Sequence, residues 1–156
     1  MSENDLDILL NKLFESNTLK FNNSNSSNNI QEKISKLLYE QFEYSTSYLN
    51  SKYGNEVLEI FHIPSDLLAI IFNIDNGGIG FVMLFNKSKV VLVLCEKENY
   101  VAFIGKKINN SNNSKSIKLL RLSYENEGNE INFRDSTGLK INTNDIIAQI
   151  IKWGLN

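Results

Sequence analysis

Two residues that can perform covalent chemistry near neutral pH occur once each in this 156-residue chain: His62, within Phe61-His62-Ile63-Pro64, and Cys95, within Val93-Leu94-Cys95-Glu96. An imidazole beside a thiol makes a base and nucleophile pair. The surroundings argue against that use. Cys95 closes an apolar run, where cysteine behaves as a small hydrophobe, and no local cysteine-protease signature surrounds it. Both residues are expected to be structural.

The remaining chemistry-bearing groups are sparse. Glu56 with Glu59, and Glu96 with Glu98, are near each other in sequence, but neither pair has the context of a cleft for acid–base work. The acidic turn over residues 125–130 lacks the alternating ligand spacing and closing bidentate glutamate of a calcium loop. Gly77-Gly78-Ile79-Gly80 has the composition of a phosphate-cradling loop, yet an apolar strand pattern follows it where such a loop needs a helix N-terminus. It reads as a hairpin turn. Lys106 and Lys107, with Lys115, Lys118 and Arg121, form the one basic cluster; Lys106, Lys107 and Arg121 are the candidates for contact with an anion or an acidic partner. With a single cysteine, neither a disulfide framework nor a cysteine-rich zinc site can form within the chain, and no cofactor or metal is implied.

The elements that must position these groups follow from periodicity. Residues 1–15 place Leu6, Leu9, Leu10, Leu13 and Phe14 at helical spacing, a short amphipathic helix that docks on its own core or holds a partner. Residues 16–29, SNTLKFNNSNSSNN, read as a flexible Asn/Ser-rich linker. A single domain is expected over 30–156. It opens with a helix in which Ile34, Leu37, Leu38, Phe42, Tyr48 and Leu49 share a face, ending near Gly54, or earlier near Tyr44 because Ser45-Thr46-Ser47 lowers propensity.

Beyond Gly54 the pattern becomes strand-like. Strands are expected over 57–63, 67–74, 79–85, 90–95, 100–104, 117–124 and 130–133; connections through the first five are so short that neighbours must be antiparallel, and the last two make a hairpin. Thr143 or Asn144 then caps a C-terminal helix that turns Ile146, Ile147, Ile150 and Ile151 inward and stops at Gly154. The fold class is therefore α+β: an antiparallel β meander of five to seven strands with helices packed on it. The alternative is a closed seven-stranded barrel with a C-terminal helix, as in pleckstrin-homology domains, an analogy of fold that carries no function.

Composition narrows the function classes. A net charge of −2 gives no electrostatic footprint for nucleic acid, and no run of about 18 apolar residues offers a membrane span. The acidic start MSENDLDILL lacks the basic and apolar regions of an export signal, so a cytoplasmic protein is expected. Two classes remain. The first is a non-enzymatic protein-binding module (adaptor, inhibitor or assembly factor). The second is a small-molecule binding or catalytic domain in which Tyr39, Tyr44, Tyr48, His62 and Tyr100 supply polar handles between sheet and helices. The first is preferred because chemistry-bearing residues are few.

One pattern points to a surface. In 67–74, 79–85 and 90–95 both strand parities are apolar, so both sheet faces need cover. Val82 and Leu84 are expected to lie on a face buried by a partner protein or by a second copy in a homodimer.

Overall fold

The computed structural model describes residues 30–53, 57–62, 79–96, 99–108, 116–127 and 130–156. The amphipathic segment with Leu6, Leu9, Leu10, Leu13 and Phe14, the 16–29 linker and the strand expected over 67–74 lie outside the described residues.

Helix α1 spans Ile30–Tyr53 and runs without interruption through Ser45-Thr46-Ser47. The early end near Tyr44 does not occur, because Ser45 and Thr46 each turn a hydroxyl back onto the helix, donating to the carbonyls of Gln41 (3.0 Å) and Phe42 (2.7 Å). Such back-bonding leaves no unsatisfied hydroxyl on the buried face, so the helix can continue. Ile34, Leu38, Phe42 and Leu49 all face the core.

Seven antiparallel strands follow: β1 (Leu58–His62), β2 (Ile79–Phe85), β3 (Lys89–Cys95), β4 (Tyr100–Lys107), β5 (Ile117–Glu127), β6 (Glu130–Arg134) and β7 (Lys140–Ile141). Their order across the sheet is their order in sequence. The sheet is open: β1 and β7 are its two ends and do not pair, so the barrel alternative is not the fold. β1 pairs directly with β2, from Leu58 opposite Phe85 to His62 opposite Phe81, so no strand intervenes between them as the simple meander had it. The two-residue β7 is an addition to the expected set.

Two backbone features shape the sheet. Asn86 and Lys87 take φ of 50° and 58°, the left-handed region, and turn β2 into β3. Between β4 and β5 the register slips so that Phe103 faces Leu120 while Ile104 faces Lys118. This bulge lets the consecutive residues Leu119 and Leu120 both pack against the core, which regular alternation forbids.

Helix α2 spans Thr143–Leu155, and its N-cap is Asn142, one residue earlier than expected. The Asn142 side chain accepts from the Asp145 amide at 2.8 Å, the capping geometry for a helix N-terminus. Gly154 does not stop the helix; it lies within it, buried against Phe85. Lys89 on β3 serves the other end, donating from Nζ to the Trp153 carbonyl at 2.9 Å with its ammonium 5.0 Å from the centre of the Trp153 ring.

Both helices contribute to one continuous core on a single face of the sheet. There Phe42 meets Phe81 and Phe103 at ring-centre distances of 6.1 and 6.4 Å. Each fully buried phenylalanine contributes about 1.5–3 kcal/mol through burial. The opposite face carries a smaller cluster of Val82, Leu92 and Leu94, with Val90 and Ile104 against it.

Candidate functional site

His62 and Cys95 are not brought together. Along the register His62 is opposite Phe81, which is opposite Val93, so the histidine sits two strands from β3, about 10 Å at ordinary strand spacing. Cys95 is fully buried, and desolvation pushes its thiol up to about 12. A thiol held protonated at neutral pH is a poor nucleophile. Among the described residues no cluster of three or more His, Cys, Asp or Glu side chains is placed to hold a metal ion.

His62 instead takes part in an aromatic stack. Its ring lies on that of Tyr39, 4.1 Å between centres and 14° from parallel, and the Tyr39 ring meets Phe81 edge-on at 5.3 Å. Tyr39 is fixed by α1 and His62 by the end of β1, so the stack joins helix and sheet. It lines a half-open cleft of about 500 Å³ whose other walls are Glu32, Ser35, Lys36, Glu40 and Glu43 from α1 and Ile79 and Gly80 from β2. Gly80 is required there: a Cβ would sit 2.2 Å from the Val93 carbonyl oxygen.

The cleft is acidic and aromatic. Burial pushes the Tyr39 phenol above its usual value, and the Glu43 carboxylate, which accepts its hydrogen bond, pushes it further. Glu32, Glu40 and Glu43 oppose one lysine, Lys36. An aromatic plate edged by carboxylates suits a cation, through ring quadrupole and charge together. Tyr39 and His62 are among the polar handles expected from sequence; the acidic stripe beside them is not. The signal is present: Glu32, Glu40 and Glu43 fall on one side of a 3.6-residue helix.

The other expected site residues are dispersed. Tyr44 and Tyr48 pack against the core and Tyr100 stands on the far side of the sheet. There the Arg121 guanidinium lies 4.0 Å from the centre of the Tyr100 ring and its Nε is 3.1 Å from Glu96 Oε2. Arg121 is opposite Ala102, four residues along β4 from Lys106, roughly 13 Å, while Lys107 points to the other face. Lys106, Lys107 and Arg121 therefore do not form one anion site. A second hollow of about 390 Å³ borders Tyr100, Arg121, Ser123, Asp135, Ser136 and Gly138. Its charges are already engaged, Arg121 by Glu96, and Asp135 Oδ1 by donors from Thr137 N, Thr137 Oγ1 and Leu139 N at 2.9, 2.6 and 3.0 Å.

Val82 is only 5 % exposed within the single chain and Leu84 is half-buried. Neither presents the open apolar surface expected of it. Among the described residues Phe61, on β1, is 43 % exposed on that face. No family model, curated protein or solved structure matches this chain.

Proposed function

We propose that this chain is a non-enzymatic protein-binding module that holds a partner segment at the cleft between α1 and the end of β1. The observation that carries this reading is the cleft itself: a stacked Tyr39–His62 pair with carboxylates around it, beside an end strand that exposes Phe61. Aromatic anchors with a charged rim are what protein recognition uses. The separation of His62 from Cys95 weighs against a cysteine–histidine nucleophile and base pair. A reducing, cytoplasmic setting accords with a single, buried cysteine. A second copy meeting across Val82 and Leu84 receives less support, since Val82 is buried and Leu84 half-buried within one chain.

The second reading, a small-molecule site, draws on the same cleft, whose volume falls in the range of ligand pockets and whose polar groups converge. Its ligand would be a small organic cation. Two screens on the full chain separate the readings: panning of a random peptide display library, and a thermal-shift screen against metabolites that include guanidines and polyamines. Peptides enriched on the wild type and lost on a Tyr39→Ala/Glu43→Lys variant support the module. A cation-dependent shift with no enriched peptide transfers the assignment to the small-molecule reading. Among the described residues no helix is long and apolar enough to cross a membrane.

A further inference from the structure

The backbone of β1 has a definite polarity. The Asn86 amide donates to the Val57 carbonyl at 2.8 Å, so residue 57 directs its backbone toward β2, and with strand alternation so do 59 and 61. Leu58, Ile60 and His62 therefore direct theirs away from the sheet. At Leu58 this free side is closed by a side chain: Asn50 Nδ2 donates to the Leu58 carbonyl at 2.8 Å, and Asn50 Oδ1 accepts from the Leu58 amide at 3.1 Å. One asparagine thus replaces one residue of a neighbouring strand. The next two positions on that edge, Ile60 and His62, have no such closure among the described residues.

Beside His62 stands the acidic side of α1. Any strand added there would alternate its side chains between two environments. Those facing the helix would meet Tyr39, Glu40 and Glu43; those facing the other way would lie beside exposed Phe61.

Resting on the binding-module reading above, we infer that the outer edge of β1, open at Ile60 and His62 among the described residues, takes an extended segment of a partner protein as an added strand. That segment alternates basic and apolar residues, and a Lys or Arg of it is seated in the Tyr39–His62 cleft. Strand addition supplies affinity through the amide and carbonyl groups of Ile60 and His62, and the cleft supplies the charge preference. The Asn50 closure sets where the added strand begins, because the edge before Ile60 is already satisfied.

The test uses the full chain and a synthetic seven-residue peptide alternating valine and arginine, with blocked ends. Its controls are a twin with glutamate for arginine and two twins N-methylated on one or the other alternate set of backbone nitrogens. The basic peptide binds, by fluorescence anisotropy, at least tenfold more tightly than the acidic twin. One N-methyl set abolishes binding and the other leaves it intact, since only one set faces β1. Amide exchange slows at Ile60 and His62 in the complex, and Glu40→Gln/Glu43→Gln weakens binding at least fivefold. Equal binding of both N-methyl twins, or unchanged exchange at Ile60 and His62, overturns strand addition while leaving a partner in the cleft. If no peptide of the series binds, strand addition is overturned, and library panning separately decides the binding-module reading.

Discussion

Gly154 of α2 lies flat on the ring of Phe85 from β2: a Cβ built on the glycine would stand 2.3 Å from Phe85 Cγ and Cδ1. The helix can approach the sheet this closely only because position 154 has no side chain. Ordinarily alanine is the better helix residue, by about 1 kcal/mol. Here the order reverses. Gly154→Ala must push α2 or Phe85 out of place, and overpacking of that kind typically costs about 1–3 kcal/mol. Urea denaturation should show a net loss of stability; an increase would mean that the ring yields freely.

Tyr124 carries a hydroxyl that is buried and has no hydrogen-bond partner among the described residues. Desolvation, with the neighbouring Cys95, raises its phenol above the usual value. Removing an unsatisfied buried hydroxyl while keeping the ring relieves a desolvation penalty of about 1–3 kcal/mol. Tyr124→Phe should therefore be as stable as the wild type or more so. A destabilised variant with unchanged fold would show that the hydroxyl is satisfied in solution.

Burial of Cys95 has a consequence above neutral pH. The folded thiol ionises at about 12 against an ordinary value of 9.0, so the unfolded chain releases its proton first. This contribution to stability is fully present below pH 9 and is lost as pH rises from about 9 toward 12, at up to about 1.4 kcal/mol per pH unit. Cys95→Ala should be less stable by about 1 kcal/mol at pH 7, through a small cavity, and lack this slope. Wild type and variant share every tyrosine and lysine, so the difference between their slopes isolates the thiol. Identical pH slopes for wild type and variant would refute a buried thiol.

Val82 belongs to the buried cluster with Leu92 and Leu94. A lysine there would be an unpaired buried charge, a loss of about 3 kcal/mol or more. Val82→Lys should thus lower the melting temperature by the same amount at any protein concentration. Were this face the seam of a dimer, the variant would instead be a folded monomer of unchanged intrinsic stability, visible by sedimentation.

Much of this architecture is legible in the chain. Residues 30–53 announce a helix because Ile34, Leu38, Phe42 and Leu49 recur at its period, and short apolar runs joined by tight connections between β2 and β4 dictate antiparallel pairing. Even the acidic stripe of α1 follows from spacing along one helix. These are local properties, set by how each residue fits its neighbours within a few positions.

What only the tertiary structure decided involves residues far apart in sequence. Direct pairing of β1 with β2 placed His62 beside Tyr39 and two strands from the β3 that carries Cys95, and so separated the one histidine from the one cysteine. An open sheet rather than a barrel left β1 as an edge. Gly154 reads as a helix stop because sequence rules record its backbone freedom; Phe85, 69 residues earlier, makes it a contact surface instead. Periodicity reports which face of an element is apolar, but the partner of that face is chosen by packing of the whole chain, where shape and long-range contacts outweigh local preference.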